Sequence, residues 1–197
     1  MKKVHYILMA IILGTSTAGM QAQTYIADPD NTLILWQGKK IGGDHDGTIN
    51  LKSGEIEMVN NKPVGGKIVI DMTSIINRDI TNEGMNERLV NHLRSDDFFS
   101  VDKYPEAVFQ ITGSEVNNGG AIKVKGNMTI KGITEAMELV SSLTSSEGAL
   151  IFTGHIDIDR TLFDVRFGST KFFANIADKA INDIFTLDYE LYLEEME

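Results

Sequence analysis

The feature that most constrains the fold is a strict two-residue alternation near the C-terminal end of the chain. Between residues 185 and 194, apolar and polar side chains take alternate positions. The apolar positions are Phe185, Leu187, Tyr189, Leu191 and Leu193, and the polar side is Thr186, Asp188, Glu190, Tyr192 and Glu194. Successive side chains of a β-strand point to opposite faces, so this pattern predicts a long strand with one face in an apolar interior and the other in water.

The same period recurs in residues 122–131 and 152–159, and residues that favour turns separate the alternating segments. Examples are Asn60-Asn61, Gly65-Gly66 and the run 117–120, which are typical of hairpin connections. The chain is therefore predicted to be all-β, with antiparallel strands of about ten residues. Two packed sheets or one sheet closed into a barrel would both bury such strands, and the pattern alone leaves the two open.

One helical insertion is predicted at about residues 81–95. Thr81 or Asn82 can cap its N-terminus, and Met85, Leu89 and Leu93 recur at every fourth position. This apolar stripe must cover something apolar, so we expect the helix to lie against the sheet.

Residues 1–22 have the character of a secretory signal peptide. Lys2 and Lys3 precede a short apolar run, and small residues lead up to Ala22. Cleavage near Ala22 would leave one domain, residues 23–197, exported to the periplasm of a bacterium or secreted. A retained signal anchor is the alternative, but the apolar run is shorter than the roughly 20 residues that span a bilayer.

Charge and composition narrow the partners. Loss of the leader would remove two of 18 basic and none of 28 acidic residues, so the formal charge would go from −10 to −12. The electrostatic field of a protein with this negative charge disfavours binding to nucleic acid and to anionic membrane surfaces. We also expect no stable membrane insertion. The chain has no cysteine, so it can form no disulfide and offers no cysteine for lipidation.

Signatures of catalysis and metal binding are weak. His45, His92 and His155 lie in three separate segments without a metal-ligand spacing. Asp96-Asp97 resembles a carboxylate pair, but adjacent residues usually diverge, which favours a role in a turn. The sequence contains no nucleophile elbow or phosphate-binding loop. We therefore expect no catalytic residue, no metal and no cofactor.

Several short motifs occur in an order that resembles the YceI-like family. The longest block runs from His92 to Gly132 and includes HLRSDDFFSVDKYPEAVFQ and GNMTIKGIT. The others are His45-Asp46-Gly47 with Ser53-Gly54, Gly65-Gly66 leading to Ile70-Asp71-Met72 and Ser74-Ile75, and Asp159-Arg160-Thr161. Together these motifs cover most of residues 24–193.

The resemblance implies a fold and a ligand class. Members of that family are lipocalin-like periplasmic proteins in which a closed antiparallel β-barrel, here of about eight strands, holds an isoprenoid or another long lipid chain. The expected cavity-lining residues are Met72, Met85, Leu89, Phe98, Phe99, Phe109, Met128, Phe152, Phe163 and Tyr189. The same residues would equally suit a barrel filled by its own side chains, and it is the resemblance that favours a cavity.

The function predicted from this resemblance is non-enzymatic binding, sequestration or transport of a long-chain hydrophobic ligand such as an isoprenoid, a quinone or a fatty-acyl amphiphile. One alternative is an enzyme that holds a lipid while His92 or Arg160 acts on its head group. Another is a structural or interaction protein with a filled barrel. Arg160 can pair with Asp71, with Asp157 or with a lipid head group, and a structural ion pair is the simplest expectation. The sequence does not indicate an oligomeric state.

Overall fold

The computed structural model describes residues 21–117, 119–146, 148–176 and 179–196. Residues 1–20, and with them most of the predicted signal peptide, lie outside this description. The elements follow the chain in this order: β1 Gln23–Ala27, β2 Leu33–Lys40, β3 Gly43–Val59, β4 Lys62–Asn77, α1 Glu83–Arg94, β5 Glu106–Val116, β6 Ile122–Ile130, β7 Ile133–Ser146, β8 Ala149–Asp159, a 3₁₀ helix Arg160–Phe163, and β9 Ile181–Glu195.

The strands form one closed antiparallel barrel. From β3 to β9 each strand pairs with the next in the chain. Both β1 and β2 pair with β3 on one side and with β9 on the other, β1 alongside residues 54–58 and β2 alongside residues 43–48 of β3. Nine strands therefore fill eight positions, and the prediction of an eight-stranded barrel with one helical insertion is confirmed.

Turn chemistry sets the register at the hairpins. Asn60 and Asn61 both have positive φ, 51° and 60°, as the two central residues of a tight hairpin between β3 and β4 require. Lys131 and Gly132 take the same conformation between β6 and β7, with φ of 52° and 75°. Short turns of this kind leave the strands adjacent and antiparallel, as the alternating pattern predicts.

Four connections emerge at one end of the barrel because neighbouring strands alternate in direction. They are the β2–β3 turn, the segment 78–105 with α1, the β6–β7 turn, and the segment 160–180. We call this the cavity end, and the opposite end, with the other hairpin turns, the far end.

The helix α1 is fixed to the cavity end by capping and by long polar side chains. The Asn82 side chain accepts a hydrogen bond from the Met85 N–H at 3.0 Å, so the cap is the second of the two predicted candidates. At the other end of α1, Arg94 donates to the carbonyl oxygens of Thr73 and Ile75 on β4 at 2.6 and 3.1 Å. The helix is thereby held across the barrel mouth.

Candidate ligand-binding cavity

The barrel contains a cavity of about 290 Å³ at the cavity end. Its walls come from the inward faces of the strands, from α1 and from the two long connections. The apolar lining residues are Trp36, Gly38, Ile49, Ile70, Met72, Ile75, Leu89, Leu93, Phe98, Phe99, Ala107, Met128, Ile130, Ile158, Phe167, Ile181, Phe185 and Leu187. This chamber can accept an apolar group of considerable size.

An aromatic cluster forms one side of the mouth. Phe98 lies between Phe99 and Phe167, with ring centroids 6.1 and 5.7 Å away. The ring of Phe99 meets Phe185 edge-on at 6.0 Å. The His92 ring is edge-on to both Phe98, at 5.0 Å, and Phe167, at 4.5 Å. These contacts join α1, the segment after it and the segment before β9 into one wall.

The polar residues of the cavity belong to its mouth. They are Lys39, Lys40, His45, His92, Arg160 and Asn182. Lys39 and Lys40 are exposed at the end of β2, so the cavity reaches solvent beside them. The arrangement of an apolar interior with polar groups at one end suits a molecule with an apolar chain and a polar head.

Arg160 has a structural part at this mouth. Its side chain is 3% exposed and donates to four backbone carbonyl oxygens. These belong to Asn182, Val165, Phe167 and Ile181, at 3.0, 2.7, 2.9 and 3.1 Å. Its carboxylate partner is Asp183, at 3.6 Å, rather than Asp71 or Asp157. Burial lowers the pKa of Arg160, and the charge of Asp183 opposes this effect. The guanidinium therefore joins the segment before β9 to the barrel, and few of its donors remain for a ligand.

Asp159 organises the neighbouring 3₁₀ helix. Its side chain accepts from the Thr161 N–H at 3.0 Å and from the Lys171 ammonium at 2.8 Å. Burial raises the pKa of Asp159, but the hydrogen bonds from Lys171 and Thr161 lower it more, and the pKa ends below its ordinary value.

The three histidines among the described residues occupy different environments. His45 lines the cavity and shares a 2.8 Å hydrogen bond with Asp79. His155 lies on the outside of the barrel, 2.6 Å from Asp188, and that hydrogen bond raises the pKa of His155. Within the described ranges of the chain, no three His, Cys, Asp or Glu side chains converge as a metal site would require. The same ranges contain no helix with the length and apolar composition of a membrane crossing.

A second cavity of about 80 Å³ lies deeper in the barrel. It shares the residues Ile70, Met128 and Leu187 with the first cavity, so the two meet at these side chains. Its other walls include Phe109, Ser141, Phe152, Ile156, Tyr189 and Leu191. The interior therefore consists of a wide chamber at the mouth and a narrow one below it.

The residues predicted to line a cavity fall into three groups. Met72, Leu89, Phe98, Phe99 and Met128 line the wide chamber. Phe109, Phe152 and Tyr189 line the narrow one, where Met128 also lies. Met85 and Phe163 line neither chamber.

The two outlying positions have simple physical reasons. Met85 is in the first turn of α1 and is 62% exposed, because the helix extends beyond the barrel rim there. Phe163 is 1% exposed, in the 3₁₀ helix, where it is packed within the core outside both chambers. The four-residue spacing predicts which residues form the apolar face of α1, but it does not show which part of that face lies against the barrel.

Several lining residues did not stand out in the sequence. Trp36 lies on β2, with its indole N–H donating to the Ile76 carbonyl oxygen at 3.0 Å. Ile70 and Leu187 form the junction of the two chambers, and Leu187 belongs to the alternating segment that predicted β9. The alternation of apolar and polar residues along a strand identifies such residues as facing the interior, but it does not show how deep in the barrel they lie.

The chain matches a family model described as the YceI-like domain over residues 25–193. The chain belongs to the YceI-like family. The resemblance inferred from the short motifs is thereby confirmed.

Relatives of this YceI-like protein include a UPF0312 protein from Yersinia pestis (strain Pestoides F), 32% identical over 98 residues. A UPF0312 protein from Yersinia enterocolitica is 33% identical over 99 residues. Each match covers 50% of this chain and 48% of the relative, so the matched part spans about half the length of these proteins.

Two solved structures have the same fold at low sequence identity. BcnA of Burkholderia cenocepacia superposes with a TM-score of 0.65 and 19% identity, over 84% of this chain and 98% of that one. A polyisoprenoid binding domain from Saccharophagus degradans, implicated in plant cell wall breakdown, gives 0.63 and 16%, over 88% and 99%.

Proposed function

We propose that this YceI-like protein binds one amphiphile with a long apolar chain, such as an isoprenoid, a quinone or a fatty-acyl compound, and sequesters or carries it without chemical change. The observation that carries this proposal is the 290 Å³ apolar chamber with its polar residues at the mouth. The polyisoprenoid binding domain of Saccharophagus degradans, which has the same fold, supports the ligand class.

Apolar burial supplies the driving force. Each buried methylene contributes about 0.8 kcal/mol, so a chain that fills the chamber gains enough to offset much of the cost of association. A charged anchor is not required. The head group would lie near Lys39, Lys40 and His45, where solvent reaches the cavity.

The distribution of charge is compatible with a neutral or anionic head group. In residues 23–197, the segments at the cavity end are 39–44, 78–105, 131–132 and 159–183, and they hold 11 basic and 11 acidic residues. The rest of residues 23–197 holds 5 basic and 17 acidic residues and so carries the whole formal charge of −12. The net negative charge therefore belongs mainly to the other segments, which reduces the repulsion of an anionic ligand at the mouth.

A cavity-filling substitution tests the binding proposal. Ala107 is 6% exposed and lines the chamber from β5, so Ala107→Phe would place a ring in the space that the ligand needs. We expect the affinity for a dansylated undecanoic acid probe, measured by fluorescence titration, to fall about tenfold or more. Val116→Phe is the control, since Val116 is on the same strand but exposed near the far end. Equal probe binding by both variants, or no binding by the unmodified protein, would contradict the proposal.

Extraction of the purified protein separates the three functional classes. Native mass spectrometry followed by organic extraction should find a stoichiometric lipid if the protein is a carrier. A lipid recovered in chemically altered form, with conversion lost on substitution of His92, would instead indicate the lipid-modifying enzyme. An empty protein that takes up no quinone, isoprenoid or fatty-acyl compound would indicate the filled barrel.

We also propose that the protein acts in the cell envelope after removal of residues 1–22. Gln23 is the first residue of β1, so cleavage after Ala22 would leave all nine strands intact. N-terminal sequencing of the exported protein should begin at Gln23. A mass that retains residues 1–22 would support the signal anchor.

A further inference from the structure

The interior of the barrel narrows sharply below the wide chamber. Ile70, Met128 and Leu187 extend inward from β4, β6 and β9 and line both chambers. Below them only about 80 Å³ remains, compared with 290 Å³ above. A chain that enters at the mouth therefore meets a constriction partway along the barrel.

Two aromatic side chains line the narrow chamber, and each lies over a glycine of a neighbouring strand. The Phe109 ring covers Gly126, where a Cβ would come within 2.5 Å of its Cζ. The Tyr189 ring covers Gly154, where a Cβ would collide with the Tyr189 hydroxyl. The absence of a side chain at these two positions allows both rings to pack closely over the neighbouring strands.

Tyr189 is fixed in this position by a hydrogen bond across two strands. Ser141 of β7 is directly opposite Gly154 of β8, which is in turn directly opposite Tyr189 of β9. The Tyr189 ring crosses the glycine, and its hydroxyl meets the Ser141 hydroxyl at 2.5 Å. Ser141 is 3% exposed, and burial raises the pKa of Tyr189, so this polar pair is held in an apolar surrounding. Such a pair resists displacement, because separating the two hydroxyls would leave them buried without partners.

We propose that the Tyr189 ring, held over Gly154 by Ser141, narrows the lower interior and so limits how many carbon atoms of an apolar chain the barrel can take in. The limit rests on the proposed function, because it specifies which chains that cavity accepts. A longer chain would have to leave its remaining carbons at the mouth.

A homologous series of saturated fatty acids from C8 to C18, competing with the dansylated probe, tests this limit. In the unmodified protein, affinity should rise about fourfold per added carbon and then level off at the length that fills both chambers. In Tyr189→Ala, which removes about seven heavy atoms from a site that closes only in part, the levelling should move out by about four carbons or more. Tyr189→Phe keeps the ring but removes its hydrogen bond to Ser141, so its affinity should level off between the lengths found for Tyr189→Ala and the unmodified protein.

A second variant makes the test independent of whether Tyr189→Ala folds. Leu139 lines the narrow chamber, and Leu139→Phe would place a larger side chain in that space, so affinity should level off at a shorter chain. Affinity that keeps rising to C18 in the unmodified protein would overturn the limit, and so would variants that all level off at the same length. Failure of every fatty acid to bind would overturn the proposed function itself, which distinguishes the two outcomes.

Discussion

At the scale of single residues, Arg160 shows how one buried cation can order a whole segment. Its donors meet four carbonyl oxygens from the stretch that precedes and begins β9. The planar guanidinium can serve several acceptors at once, whereas a lysine ammonium has three donors on a flexible stem. The segment 160–180 therefore depends on arginine rather than on positive charge as such.

Arg160→Lys should lower the free energy of unfolding by about 1–3 kcal/mol or more, because the three donors of a lysine leave at least one of the four carbonyl oxygens without a partner and each such loss costs about 1–3 kcal/mol. Arg166→Lys is the matched control. The Arg166 side chain is 58% exposed and lies 4.8 Å above the Phe172 ring, so its replacement should change stability by about 0.5 kcal/mol or less. Urea denaturation of both variants measures the difference. Equal stability would mean that the carbonyl contacts of Arg160 contribute little.

At the scale of secondary structure elements, α1 is a wall of the cavity on one side and a solvent-exposed helix on the other. Leu89 faces the chamber, whereas Met85, one turn earlier, is exposed beyond the rim. Leu89→Asp should weaken binding of the dansylated probe about tenfold, because it places a carboxylate against an apolar chain. Met85→Asp makes the same chemical change on the same helix and should leave the affinity unaltered. If both variants lost affinity equally, disruption of the helix rather than loss of its wall would explain the effect.

The elements themselves were largely predictable from the sequence, and their arrangement at the mouth was not. Strict alternation located β6, β8 and β9, and a four-residue period located α1, because these periods follow directly from backbone geometry. The path of the segment 160–180 depends instead on contacts between Arg160 and residues up to 22 positions away. Periodicity also left the depth of Phe109 and Tyr189 undetermined, since it identifies the inward face but not the chamber. The barrel itself followed from the family resemblance.

At the scale of the whole molecule, barrel closure depends on the short strand β1. It completes the sheet between β3 and β9 near the far end, where β2 does not extend. Without it, the edges of both long strands would be unpaired there, and exposed edges promote association between chains. Ala27 of β1, 1% exposed, faces Gly54 of β3 directly across this seam.

Gly54→Ala should therefore weaken the closure of the barrel. A Cβ at Gly54 would come within 2.7 Å of the Ala27 Cβ and 2.9 Å of the Ile68 Cδ1, and the strand backbone must shift to relieve the first contact. We expect a loss of about 1–3 kcal/mol in the free energy of unfolding, together with concentration-dependent association in analytical ultracentrifugation. Gly43→Ala is the control, because a Cβ at Gly43 meets nothing within 4 Å and its φ is not positive, so stability should stay the same or rise by about 0.4–1 kcal/mol. A Gly54→Ala protein as stable and monodisperse as Gly43→Ala would show that β1 can yield without opening the seam, and that the barrel is held closed by β2 alone.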